Sequence, residues 1–173
     1  MPGKAAKRAV KYSFSWSAPW SAGAVSTFSV LTLSLRSAIL MLTNLEHLGL
    51  AVHDLEAATA LYTTLLGVPP YKQEHVASEA VDTVFFRVGG SKIELLAGTS
   101  PESAITQYLT KKPEGIHHVA FEVDDIRAEM ARLKGEGFVL LNEEPKRGAD
   151  NKLVCFIHPK SAAGVLVELC QSL

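Results

Sequence analysis

The sequence predicts an α+β fold in which two βαβββ modules pair into one cupped, mixed sheet. Three observations carry this. The run Leu45-Glu-His-Leu-Gly-Leu-Ala-Val-His-Asp54 returns as Ile116-His-His-Val-Ala-Phe-Glu-Val-Asp-Asp125, with His47 on His118 at an offset of 71. Lys92-Ile-Glu-Leu-Leu96 returns as Leu166-Val-Glu-Leu-Cys170, with Glu94 on Glu168 at an offset of 74. Each half then shows the same order of strand, helix and three strands, and self-similarity of this kind marks a repeated structural unit.

The elements follow from local chemistry. Leu45 to Val52 reads as a strand. Asp54 is suited to cap a helix running to about Leu66, and Gly67 to stop it. Val68-Pro-Pro-Tyr71 turns into a strand near 71–77, Val81 to Val88 is the next, and Gly89-Gly90 makes a hairpin into Lys92 to Leu96. Ser100-Pro101 opens a short connecting helix to about Thr110, ended by Lys111-Lys-Pro-Glu-Gly115. The second module is expected as a strand over 116–123 and a helix capped by Asp124 or Asp125 to about Lys134. A short strand over 138–141, a polar loop over 142–151, and strands Lys152 to His158 and Gly164 to Cys170 complete it. The organisation is therefore module 1 over 43–98, a connecting helix within 99–114, and module 2 over 115–173.

Residues 1–42 form a leader of a different kind, and residues 1–41 contain five basic residues and no acid. An acid-free leader rich in Lys, Arg and Ser is the pattern of a mitochondrial transit peptide. Val25 to Leu42 is apolar enough to raise a membrane segment, a reading that Arg36 and the Ser/Thr positions weaken. A mis-called start, with Met41 as the true one, is the third reading. In none does the leader carry chemistry. No stable membrane association is expected. The expected compartment is the cytoplasm, or the mitochondrial matrix if the source is eukaryotic and residues 1–41 are a transit peptide.

Residues 42–173 hold 12 basic and all 18 acidic residues, a net of −6, and so lack the basic surface that nucleic acid would need. Cys155 and Cys170 lie in apolar strand-like runs without metal-ligand spacing and read as buried, inert thiols in a reducing compartment.

Side chains alternate across a strand. Leu48, Leu50 and Val52 share the face that suits packing under a helix, and His47, Gly49 and Ala51 share the other. The second copy divides alike, with His118 and Ala120 opposite Val119, Phe121 and Val123. Small residues beside each His leave volume for a pocket. Glu94 and Glu168 likewise oppose Ile93/Leu95 and Val167/Leu169. A single strand His is usually a hydrogen-bonded core or edge residue, and a single Glu in such a run a solvated one. Their repetition at matched positions points instead to four groups converging across a pseudo-two-fold axis. Two imidazoles and two carboxylates suit a divalent ion such as Zn, Co, Ni, Mn or Fe(II). His53 and His75 read as surface residues and His158 as structural.

These residues resemble the vicinal oxygen chelate superfamily, whose members pair βαβββ modules around a divalent metal. Within it, module 2 is similar to the methylmalonyl-CoA epimerase family. The stretches that carry the likeness are Gly115-Ile-His-His-Val-Ala-Phe-Glu-Val-Asp-Asp125, Asn142-Glu-Glu-Pro-Lys-Arg-Gly148, Phe156-Ile-His-Pro-Lys160 and Gly164-Val-Leu-Val-Glu-Leu169. The likeness covers 43–173 and none of 1–41. It implies His47, His118 and Glu168 as metal ligands, with Glu94 as a fourth where some relatives carry Gln. The metal would be Co, Zn, Ni or Mn, and the substrate an acyl-CoA. Epimerisation needs acid/base groups on both faces of the substrate's C2 carbon. Glu168 is the first choice for one. Some relatives place the other near Thr83, beside Asp82 and Glu79; this chain departs from that pattern, and Glu94 is the alternative. Lys146, Arg147, Lys152 and Lys160 are candidates for coenzyme A phosphates, against an ordinary solvated loop. A homodimer is implied by analogy.

Three rivals stand beside this reading. A glyoxalase-like lyase acting on a glutathione hemithioacetal would use the same four ligands. An extradiol-type dioxygenase would use Fe(II) with two His and one Glu. A non-catalytic small-molecule binding protein of the same fold would commonly lack the ligands.

Overall fold

The computed structural model describes residues 42–173; the expected leader lies outside them. Eight strands form one sheet in the order β2-β3-β4-β1-β5-β8-β7-β6. They are β1 (Asn44–Ala51), β2 (Lys72–Val76), β3 (Val81–Val88), β4 (Ser91–Gly98), β5 (Gly115–Glu122), β6 (Lys146–Arg147), β7 (Lys152–Ile157) and β8 (Val167–Ser172). The order reads the same from either end once the halves are exchanged, as the duplication requires. At the centre β1 and β5 run antiparallel. Outside them β1 pairs in parallel with β4, and β5 with β8.

Helices α1 (Leu55–Leu66) and α3 (Ile126–Gly135) lie at equivalent places in the two halves. Asp54 and Asp125 cap them by accepting from the Ala57 and Ala128 amides, and Gly67 ends α1 at φ 69°. Under α1, Leu50, Val84, Phe86 and Leu95 form one core with Leu55, Ala58, Tyr62 and Leu66 packed on it. Under α3, Val123, Ile126, Met130 and Leu133 pack with Cys155, Ile157 and Leu169. Both helices thus take the apolar faces of the strands and leave the other faces to line the cup. Both cysteines are buried and free. Among the described residues no helix is long and apolar enough to cross a membrane.

Three expectations about local structure need correction. The connecting helix α2 spans Ala104–Leu109, later than Ser100-Pro101 would place it. Ser100 closes a turn onto the Ser103 amide, and buried Ser103 is the cap, accepting from the Ile105 amide. The strand over 138–141 is reduced to a single bridge between Leu140 and Ile157, while the supposed loop contains β6. Asn142 explains the interruption, because its side-chain oxygen takes the Phe156 amide hydrogen that a continuing ladder would use. The last strand begins at Val167 rather than Gly164, because Ala163 and Gly164 both take positive φ, 52° and 88°. That backbone cannot join a ladder.

Candidate active site

The four central strands, neighbours in the sheet, each present one polar group to the cup: Glu94 from β4, His47 from β1, His118 from β5 and Glu168 from β8. Their placement follows from register. Gly49 of β1 stands between Glu94 and His118, and Ala120 of β5 stands between His47 and Glu168. All four polar residues are buried, at 3–6% exposure.

The side chains converge. His47 Nε2 lies 2.8 Å from His118 Nε2, 3.1 Å from Glu94 Oε2 and 3.8 Å from Glu168 Oε2. His118 Nε2 lies 3.2 Å from Glu168 Oε2 and 3.5 Å from Glu94 Oε2. Zinc-type bonds to imidazole and carboxylate are about 2.0–2.2 Å long, which sets neighbouring donors roughly 3 Å apart. The spacings and mixed N/O chemistry of His47, His118 and Glu168 therefore fit a single divalent ion, and Glu94 Oε2 lies within 3.5 Å of both imidazoles as a candidate fourth donor.

Sequence reasoning missed two residues of this site. By alternation Glu46 should face α1. Instead β1 bulges between Leu45 and His47, and Glu46 lines the cup beside His47. His117 likewise shares the cup with its neighbour His118, at a second irregularity between the Gly49 and Leu50 pairings. The signal available was a conflict: a charged Glu46 on a face otherwise made of Leu48, Leu50 and Val52.

The two carboxylates differ in their surroundings. Thr83, fully buried, donates its hydroxyl to Glu94 Oε1 at 2.9 Å. Burial alone would raise the Glu94 pKa, but contacts to both imidazoles outweigh it and hold the group far below the usual carboxylate range. Glu168 lies 3.2 Å from His118 Nε2 but has no hydroxyl donor of its own, and burial outweighs the attraction of the histidines and raises its pKa. Burial would lower the His47 pKa, but the Glu46 and Glu94 carboxylates lift it to about 10. His117, half-buried and beside His118, is lowered to about 4. Without metal, the site therefore holds a proton on His47. Ion binding near neutral pH should release about one proton. Calorimetric titrations in buffers of different ionisation enthalpy measure this, and identical heats in all of them would contradict it.

A cavity of about 290 Å³ opens over the donors, walled by apolar side chains such as Val81, Phe85, Leu96 and Phe156. The expected basic cluster divides. Lys146 and Arg147 line the cavity, with Lys146 paired to Glu79 at 2.5 Å across the two halves. Lys152 lines the cavity too, but is buried and paired with Glu46 and Glu122. Lys160 is not among the lining residues. Asp82 is engaged with His75 at 2.6 Å, and His158 caps a 3₁₀ turn at Pro159–Ser161.

The Glyoxalase/Bleomycin resistance protein/Dioxygenase superfamily matches residues 46–156, and its members typically bind a divalent metal. The chain is 44% identical over 133 residues to the ethylmalonyl-CoA/methylmalonyl-CoA epimerase of Cereibacter sphaeroides, which spans 76% of this chain and 99% of that protein. It is 42% identical over 132 residues to human mitochondrial methylmalonyl-CoA epimerase, spanning 76% of this chain and 75% of that one. Among solved structures, Streptomyces coelicolor methylmalonyl-CoA epimerase in complex with 2-nitronate-propionyl-CoA superposes with a TM-score of 0.74. The identity there is 34%, over 76% of this chain and 99% of the other. The chain belongs to this superfamily and, within it, to the family of these epimerases.

Proposed function

We propose that the chain interconverts the 2R and 2S forms of methylmalonyl-CoA by removing the C2 proton and returning it on the opposite face. The carrying observation is the convergence of His47, His118, Glu94 and Glu168 from both halves at the floor of one cavity. The relatives that share this architecture are named for the same reaction. These four residues would hold a divalent ion, Co, Zn, Ni or Mn. An ion held there would supply positive charge to offset the negative charge that develops on the substrate as C2 loses its proton.

The proton transfers belong to the chain. Glu94 and Glu168 occupy matched positions in the two halves, so they approach the substrate carbon from opposite sides. For one enantiomer Glu94 takes the proton and Glu168 delivers one; for the other the roles exchange. Thr83 keeps the Glu94 carboxylate from turning. The apolar walls exclude water, which strengthens every charge interaction inside. Lys146 and Arg147, which line the cavity, would meet coenzyme A phosphates.

A homodimer belongs to the same proposal. Helix α1 has no fully buried residue and leaves Leu61 and Leu65 63% and 68% exposed; sedimentation equilibrium reads the assembly directly. The activity is tested by following the C2 proton of methylmalonyl-CoA by NMR in D₂O. Co(II)-loaded protein should exchange it, and chelator-treated protein should not until metal is restored. Absence of exchange with a fully loaded site would overturn the assignment.

A further inference from the structure

We infer that Glu46 is a positioning residue for the metal centre, taking the Nδ1–H of His47 and turning the Nε2 lone pair into the cup. The inference rests on the proposed metal site and concerns a residue outside the four donors. Glu46 Oε2 is 2.5 Å from His47 Nδ1, and Glu46 is only 5% exposed. A carboxylate in that position can only accept, so Nδ1 keeps its proton and Nε2 is the nitrogen that gives its proton up and turns a lone pair to a metal.

The backbone is bent to bring this about. Regular alternation would put Glu46 under α1, and the bulge in β1 moves it beside His47. Bulges next to sites commonly re-aim a side chain. The other carboxylate oxygen is held by Lys92 and, at 3.2 Å, by Lys152. Lys92 continues to Asp150 at 2.7 Å, and Asp150 to Tyr71 at 2.8 Å. Glu46 thus has both oxygens engaged and its rotamer fixed from two sides.

The repeat makes the point sharper. The residue equivalent to Glu46, 71 positions on, is His117, and it too meets Nδ1 of its neighbouring donor, at 3.1 Å from His118. Each half places a side chain behind its metal-facing imidazole, but only the first places a charged acceptor there. A carboxylate behind a ligating His fixes tautomer and ring and raises ligand basicity. The geometry therefore makes His47 the more firmly held of the two imidazoles.

The bland reading is that Glu46 only closes a buried ion pair with Lys92 and Lys152. Full-chain Glu46→Ala, Glu46→Gln and Lys92→Met separate the two. Co(II) affinity is measured by competition with a chromophoric chelator, and the Co(II) visible spectrum is recorded, both without substrate. Glu46→Ala should weaken Co(II) about 10–100-fold and shift the spectrum. Glu46→Gln, which keeps an accepting oxygen without the charge, should lose less. Lys92→Met, which leaves the contact to His47, should change affinity least. Unchanged affinity and spectrum in Glu46→Ala would overturn the inference, as would an equal loss in Lys92→Met. If Glu46→Ala does not fold, Glu46→Gln decides alone: an identical constant and spectrum overturn the inference, and weaker binding with a shifted spectrum upholds it. Because substrate is absent, an inactive enzyme that still shows this pattern would sink the proposed reaction and leave the inference standing.

Discussion

Glu168→Gln is expected to slow interconversion of the two methylmalonyl-CoA enantiomers by about 10³-fold or more, within the range that one positioned acid/base group contributes. The change is nearly isosteric at a buried position between Ala120 and Phe156, so the sheet has no steric reason to move. An amide oxygen still faces His118, but it neither takes nor returns a proton. The chemistry behind the size of the effect is the asymmetry between the carboxylates. Glu94 is tied down by the Thr83 hydroxyl and both imidazoles, and is strongly ionised. Glu168 lacks that hydroxyl, and burial raises its pKa. Of the two, Glu168 is the one poised to hold a proton.

The same substitution carries a signature that simple damage would not. If two groups serve two faces, Glu168→Gln should still wash out the C2 proton of one enantiomer in D₂O through Glu94, with inversion lost from both. Glu94→Gln should do the opposite, exchanging only the other enantiomer. Single-enantiomer substrates followed by NMR show this directly. Interconversion by Glu168→Gln within tenfold of the unaltered chain would remove Glu168 from the proton path. Equal exchange of both enantiomers in either variant would show that the two faces are not divided between Glu94 and Glu168.

The legible parts of this site are those where strands keep their period. Glu94 and Glu168 sit on stretches of β4 and β8 whose pairings run without interruption, so alternation alone puts them opposite Leu95 and Leu169. His47 and His118 were readable through the repeat. Glu46 and His117 were not, because a bulge is a backbone event that costs the alternation rule one residue and leaves little trace in composition. The second module's short strand failed for another reason. Phe138-Val-Leu-Leu141 has strand chemistry, and Val139 and Leu141 do bond to His158 and Phe156. A single side chain, Asn142, then ends the ladder. Thr83 stands in the sequence as a departure from an acidic pattern, but its role as donor to Glu94 is tertiary, set by the pairing of β3 with β4.

The second large effect is expected at a residue with no functional group. Gly49→Ala should weaken metal binding by at least about 100-fold and destabilise the fold by about 1–3 kcal/mol, the usual cost of overpacking. A Cβ at Gly49 would lie 2.2 Å from His118 Cε1 and 2.5 Å from both ring nitrogens. The ring is the occupant of that space, and it has little room to retreat. It is 3% exposed, stands edge-on to Phe156 at 5.9 Å between centroids, and meets the His47 and His117 rings as well. Rotating it away from the added methyl would carry Nε2 off its spacing to His47 and Glu168. The small residue predicted beside each His thus makes room for a ligand's own ring as well as for substrate. The repeat supplies the control: the matched position holds Ala120, whose Cβ coexists with His47. The two imidazoles are therefore seated differently, His118 over a residue without a Cβ and His47 beside Ala120. Co(II) titration and thermal melts of Gly49→Ala against Ala120→Gly measure the difference. Tight, wild-type-like metal binding by Gly49→Ala would mean that His118 can move aside and still ligate, and the packing argument for its fixed position would fail.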